Sequence, residues 1–163
     1  HAINSQLFFH ENRIMFSDVA GKFYLPKEEA EFNERINQAD LIDDHGSMVI
    51  YHGFADETKK LKLFSQADAF SLPSYYSFEA HPVCLVEAMA HGLPIIATRW
   101  RILPELFPEN YAGLVDVKSP EQIAERIQKF LGCVDSTDLR NRYLRHFTRK
   151  VFGEKVRSAL LST

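Results

Sequence analysis

The chain has 163 residues, 45% of them apolar, and a formal net charge of −3. That length suits one domain with a sizeable core, and thirteen Phe against seven Gly exclude a disordered or low-complexity chain. The charge balance gives no sign of a nucleic-acid partner, no run of about 18 apolar residues offers a transmembrane helix, and no signal peptide is visible.

Residues 1–12 carry Ile3, Leu7 and Phe8 on one side of a helical period and predict a helix. Residues 14–20 predict a strand, ended by Gly21. Pro26 sits at the favoured first turn of a helix reaching about Ala39. Residues 48–51 predict a second strand, 57–67 a helix with Leu61, Leu63, Phe64 and Ala67 apolar, and 68–72 a third strand followed by the loop 73–81. The next helix is the best punctuated: Pro82 opens it, His91 closes it, Gly92 caps it and Pro94 prevents continuation. Residues 94–97 predict a fourth strand, 103–107 a short helix and 113–115 a fifth strand. Ser119-Pro120 starts a helix with Ile123, Ile127, Phe130 and Leu131 inward, and Leu139, Tyr143, Phe147 and Val151 continue a helical period in a tail spanning 135–163.

Short strands alternating with helices imply right-handed crossovers and a doubly wound, mostly parallel α/β sheet in one domain, 1–163. Ligands of such sheets bind beyond the carboxyl ends of the strands, so the loops 53–56, 73–81 and 98–103 are the ones to watch.

Cys84 and Cys133 lie far apart, in no metal-ligand spacing, and read as reduced thiols of a cytoplasmic protein. The seven His form no metal-ligand pattern, and neither a metal nor a cofactor is expected. Ser74 and Ser77 lack the partners of a catalytic nucleophile. The tail carries seven Lys or Arg against three acids; it reads either as a solvated helix face or as a peripheral contact with anionic lipid.

The loop 73–81 enters a helix N-terminus, whose unpaired N–H groups and partial positive charge attract anions. Glu79 lies just before that helix and Glu87 within it. Carboxylates repel phosphate but accept from hydroxyl pairs. A ligand with an anionic middle and a diol at each end suits this arrangement, and a nucleotide sugar is such a ligand. On spacing alone the bland readings stand beside it: Glu87 on a solvated helix face, Glu79 as a favourable charge near a helix end. Tyr75, Tyr76 and Phe78 either shape a pocket or pack.

The run Leu72-Pro73-Ser74, Glu79, Val86-Glu87-Ala88-Met89-Ala90-His91-Gly92-Leu93-Pro94-Ile95-Ile96-Ala97-Thr98 resembles the signature of glycosyltransferase family 4. Weaker similarity covers residues 49–54, Pro104-Glu105, Gly113-Leu114-Val115-Asp116 and Ser119-Pro120-Glu121. The resemblance implies the Rossmann-like C-terminal half of a GT-B fold. It implies a retaining glycosyltransferase that takes a hexose from a UDP- or GDP-sugar donor to a glycan or lipid-linked acceptor, without a metal. Glu79 then falls on the catalytic position and Glu87 on the ribose-binding one. Ser74 and the backbone of His81, Val83 and Cys84 line the sugar and diphosphate, and Gly53, Phe54 and Ala55 the base.

Three departures qualify this. The family often has Glu-Gly-Phe-Gly where this chain has Glu79-Ala80-His81-Pro82, which removes backbone freedom and one N–H. A glycine pair common before Pro104-Glu105 is replaced by Trp100-Arg101-Ile102-Leu103, where Arg99 and Arg101 suit either a phosphate or plain solvent. The family's early Arg and Lys that grip the diphosphate have no counterpart. The chain is therefore expected to be a truncated donor half, missing its N-terminal GT-B domain and inactive alone. A GT-B nucleotide-sugar epimerase and a non-enzymatic nucleotide- or protein-binding module are the competing readings.

Overall fold

The computed structural model describes residues 6–10, 16–20, 26–38, 42–43, 46–47, 49–133 and 136–162. In chain order the elements are β1 (Gln6–His10), β2 (Phe16–Ala20), α1 (Pro26–Gln38), β3 (Ile42–Asp43), β4 (Gly46–Ser47), β5 (Val49–Tyr51), α2 (Glu57–Gln66), β6 (Ala69–Leu72), α3 (Val83–His91), β7 (Ile95–Thr98), a 3-10 turn (Leu103–Leu106), β8 (Leu114–Val115), α4 (Pro120–Cys133), α5 (Thr137–His146) and α6 (Arg149–Leu161). Six strands form one sheet in the order β5-β2-β1-β6-β7-β8, while β3 and β4 make a separate two-stranded ladder.

Counted along the chain, the six sheet strands run 3-2-1-4-5-6, the doubly wound order of dinucleotide-binding folds. β5 is parallel to β2, and β6, β7 and β8 are parallel to one another. β1 is antiparallel to both β2 and β6. Five strands thus share one direction, and the loops that follow β5, β6 and β7 leave the same edge of the sheet. The order reverses between β1 and β6, so the loop after β6 emerges at the topological switch point.

β1 corrects the expected helix over 1–12; residues 1–5 and 11–12 lie outside the described residues. Leu7 and Phe8 fit a helical period, yet a segment this short nucleates a helix poorly. Its paired Phe8-Phe9 favours a strand, and ladders on both flanks, Phe8 opposite Asp18 and opposite Phe70, decide the outcome. The β3–β4 ladder falls in a stretch for which no strand was expected. The other elements appear where expected, to within a residue or two, except that the tail period breaks. Phe147 ends α5, and the Thr148 hydroxyl accepts from the Val151 amide at 3.3 Å to start α6.

Core residues alternate along the central strands. Phe70, Leu72, Ile95 and Ala97 face α2 and α3, packing with Phe64, Leu85, Ala88 and Met89. Ala69, Ile96 and Val115 face the other way, against Ile127 and Phe130 of α4. β6 and β7 are buried on both faces, which is why they read as unbroken apolar runs. Gly92 ends α3 in the left-handed conformation (φ 71°), its N–H reaching the Ala88 and Met89 carbonyls. α5 seals the far end of α3: Leu139 is buried, the Arg140 guanidinium donates to the Ala90 carbonyl, and Arg142 donates to the Glu105 carbonyl at 2.8 Å. Part of the basic tail therefore caps the ends of α3 and of the 3-10 turn. α6 buries none of its residues and exposes Phe152, Val156, Leu160 and Leu161.

Where the β7–β8 ladder has not yet begun, the Tyr111 hydroxyl substitutes for a strand. It accepts from the Ile95 amide at 2.9 Å and donates to the Ile95 carbonyl at 2.8 Å. Gly113 makes room, since a Cβ there would lie 2.0 Å from the Ile95 oxygen. Tyr111→Phe strands both Ile95 groups and is expected to lower stability by about 1–3 kcal/mol. Urea unfolding with an unchanged midpoint would refute this role of the hydroxyl.

Candidate functional site

The site is built on the loop between β6 and α3. Ser74, two residues beyond β6, is 4% exposed. Its carbonyl accepts from the Thr98 hydroxyl, which fixes the start of the loop to the end of β7. Its own hydroxyl donates to Glu79 Oε2 at 2.6 Å and accepts from the Tyr76 amide at 3.2 Å. The Glu79 amide closes a turn onto the Tyr76 carbonyl at 3.0 Å, and the Trp100 indole N–H donates to that same carbonyl at 2.8 Å. One serine and one tryptophan thus tie the loop to β7 and to the segment that follows it.

α3 starts at Val83, with Pro82 as its cap residue in an extended conformation and making no side-chain cap hydrogen bond. The Glu79 carboxylate is held by Ser74 instead of capping the helix. First-turn amides have no carbonyl of a preceding turn to bind, so this end of α3 presents N–H groups and the positive pole of the helix dipole. Val83 is 67% exposed there.

Glu87 does not lie on a freely solvated face. Its Oε1 accepts from Lys60 Nζ at 2.6 Å, and each side chain is 30% exposed. Lys60 comes from the first turn of α2. That turn is fixed twice more: the Asp56 carboxylate caps the Lys59 amide at 2.8 Å, and Lys59 Nζ donates to the His52 carbonyl at 3.0 Å. Gly53 turns the chain between them with φ 62°, a left-handed conformation that favours glycine. Phe54 projects outward at 77% exposure, and Ala55 packs on the core. Adjacent lysines therefore reach His52, just before the turn 53–55, on one side and Glu87 on the other.

Cys84, buried in the first turn of α3, lies near both carboxylates. Burial pushes its thiol up to about 12, and the nearby Glu87 and Glu79 carboxylates add to the rise, outweighing two backbone N–H groups that pull it down. Glu79 lies three residues before the cap residue Pro82 and Glu87 in the second turn of α3, so both acids stand near this helix end. Of the predicted site residues, Ser74, Glu79, Val83, Cys84 and Glu87 gather here. His81 is exposed, with its ring 6.4 Å from that of Phe147. Arg99 pairs with Asp116 at 3.4 Å at the exposed rim, and Arg101 holds φ 49°. Lys60 and Trp100 were missed as site residues; their partners lie 27 and 24 residues away, beyond any local pattern. Among the described residues no group of three His, Cys, Asp or Glu is placed to hold a metal ion.

A doubly wound sheet with this strand order is a Rossmann-like layer, and the matches that follow make it the Rossmann-like C-terminal half of a GT-B glycosyltransferase fold. Residues 17–145 match the family described as Glycosyl transferases group 1, and the chain belongs to that family. It is 33% identical over 107 residues to the amylovoran biosynthesis glycosyltransferase AmsK of Erwinia amylovora, covering 63% of this chain and 25% of that protein. It is likewise 33% identical over 106 residues to spore coat protein SA of Bacillus subtilis, covering 62% and 27%. The chain thus spans about a quarter of the length of these curated relatives. Among solved structures, Anabaena HepE in complex with UDP-glucose superposes with TM-score 0.71 at 18% identity, covering 86% of this chain and 38% of that one. The C-terminal domain of the group 1 protein LpcC from Francisella tularensis gives 0.61 at 21%, covering 76% and 64%.

The raised Cys84 value predicts a chemical signature. The folded thiol stays protonated at pH 8, whereas unfolding returns it to its ordinary 9.0 and to roughly a tenth thiolate. Iodoacetamide labelling of Cys84, read by peptide mass spectrometry, is expected to be about 100-fold or more slower in the folded protein than in guanidinium. A group whose value rises on folding contributes stability that is complete below pH 9 and is lost as pH climbs from 9 towards 12. Equal labelling rates in the two states would contradict the burial.

Proposed function

We propose that this chain is the donor-binding half of a retaining, metal-independent glycosyltransferase that moves a hexose from a UDP- or GDP-sugar to a glycan or lipid-linked acceptor. The observation that carries the reading is the uncapped N-terminus of α3, framed by Glu79 and Glu87. The group 1 family match supports the transferase class. The role of AmsK in amylovoran biosynthesis supports a polysaccharide pathway, and the UDP-glucose complex of HepE supports a nucleotide-sugar donor.

In this reading Glu87 accepts from the ribose diol. Amides at the start of α3, those of Val83 and Cys84, face the diphosphate, while His81 and Ser74 line the sugar pocket. The turn of Gly53, Phe54 and Ala55 receives the base. Glu79, oriented by Ser74, accepts from hydroxyls of the hexose and is the catalytic carboxylate. The acceptor oxygen bonds to the anomeric carbon as the bond to the diphosphate breaks. Retention requires the new bond to form on the face the diphosphate leaves, and the acceptor's proton passes to the departing phosphate oxygen. The positive pole of α3 stabilises that leaving charge in place of a metal. Residues 1–163 act as one domain with 135–163 as its helical tail. An N-terminal GT-B domain supplies the acceptor site, and its surface covers the exposed apolar residues of α6. The reaction takes place in the cytoplasm, with the basic tail at the membrane face.

Titration with UDP-, GDP- and ADP-sugars tests the donor site. Loss of one pair of charge-assisted hydrogen bonds in Glu87→Ala is expected to weaken nucleotide-sugar binding by about 10- to 100-fold. In a transferase assay on the full-length protein, Glu79→Ala is expected to lower kcat by about 100-fold or more. A donor site is ruled out if no sugar nucleotide binds or if Glu87→Ala leaves binding intact, and normal turnover by Glu79→Ala removes that residue from catalysis.

A further inference from the structure

We propose that Lys60 is a positioning residue of the donor site: it fixes one oxygen of Glu87 so that the other is presented to the ribose diol, and it cancels the charge that would repel the adjoining diphosphate. This inference rests on the donor reading given above and extends it to a residue outside the family signature.

Three observations carry it. First, the pair is close, 2.6 Å, and neither side chain is a free surface group at 30% exposure. Among the described residues no other hydrogen bond reaches the Glu87 carboxylate, so Oε2 is the oxygen left to a ligand. Second, Lys60 sits where a cation is unfavourable to its own helix. It occupies the first turn of α2, the positive end of that helix's dipole. Leu63 and Phe64, three and four residues on, continue the same face as core. An apolar residue at position 60 would extend that seam, and neither helix stability nor core packing accounts for a lysine. Third, Glu79 is treated in the same way: Ser74 holds its Oε2 from within the protein. Each carboxylate at this helix end has one oxygen held by a protein donor.

The chemistry follows from charge. Two carboxylates beside a diphosphate repel it, and the pole of α3 carries only about half a unit of positive charge. An ammonium on Glu87 neutralises the nearer acid and lets it act as a diol acceptor. A methylene chain at position 60 would leave Glu87 free to rotate and uncompensated.

The test compares UDP, GDP and ADP with their 2′-deoxy forms, by chemical-shift mapping on the 163-residue chain, so that millimolar affinities are measured. The wild type is expected to prefer the ribonucleotide by about tenfold. Lys60→Met is expected to reduce that preference below about twofold while Lys60→Arg keeps most of it, with Glu87→Ala as the reference for complete loss. Melting curves accompany each variant. Lys60→Gln, which keeps an N–H donor without the charge, replaces Lys60→Met if the latter unfolds. Lost preference with an unchanged melting temperature supports positioning, because a merely structural ion pair would move stability and not the ratio. If Glu87→Ala abolishes the preference and the Lys60 variants retain it, the Lys60 inference is overturned and the donor reading stands. If the wild type binds none of these nucleotides, or does not distinguish the two sugars, the role given to Glu87 fails and the inference falls with it.

Discussion

The site hangs on one buried serine. Ser74 is placed by β6, whose four residues are buried on both sides, and it bonds in three directions. Its carbonyl takes the hydroxyl of Thr98, and its hydroxyl takes the Tyr76 amide and holds Glu79. Ser74 is 4% exposed, and the bond from its hydroxyl to a carboxylate is both strong and directional. The position of Glu79 is therefore inherited from the sheet, through Ser74, and not from the exposed loop in which Glu79 lies.

The sheet makes that inheritance reliable. α2 and α3 cover one face of β6 and β7, and α4 covers the other, so neither strand can slide by one residue without turning Phe70 and Leu72 out of one cluster and Ala69 out of the other. Because β5, β6 and β7 run the same way, their following loops meet at one edge. The segment 99–102 is drawn in by Trp100, and the turn 53–55 by Lys59. α2 then bridges from the edge strand β5 to α3 through Lys60 and Glu87. Reversal of β1 costs the edge one strand end: the carboxyl end of β1 lies at the opposite side of the sheet.

Much of this was legible along the chain because it is local. α3 was marked at both ends by Pro82 and Gly92, and the structure places its cap and its left-handed C-terminal residue there. Buried strands β6 and β7 read as apolar runs for the reason that both their faces are covered. What escaped was non-local. β1 carries a helical spacing that its two ladders override, and five residues hold too little pattern to say so. β3 and β4 contribute two residues each, less than any period can reveal. Lys60 looks like a solvated lysine in the run Thr58-Lys59-Lys60, and only the meeting of α2 with α3 gives it a partner. Arg140 and Arg142 were read as part of a basic face, yet their guanidinium groups serve backbone carbonyls at the ends of α3 and of the 3-10 turn, contacts set by how α5 docks.

The departures from the family signature take on a physical sense at this point. Glycines in the loop would let it adapt to a ligand, at an ordering cost on binding. Here Ala80-His81-Pro82 stands in their place, with Pro82 held at φ −63° as it enters α3. Around it, the Glu79–Tyr76 turn, the Ser74–Glu79 bond and the Trp100–Tyr76 bond already fix the path of the chain. Pro82 offers no N–H, so an anion at this helix end must be met by the amides that follow it. The glycine-poor loop gives up one donor and some adaptability, and in exchange the two carboxylates are aimed before a ligand arrives. On the donor reading proposed above, in which hydroxyls are read while a diphosphate is held by partial charges, preorganisation of the two carboxylates offsets the weaker grip on the anion.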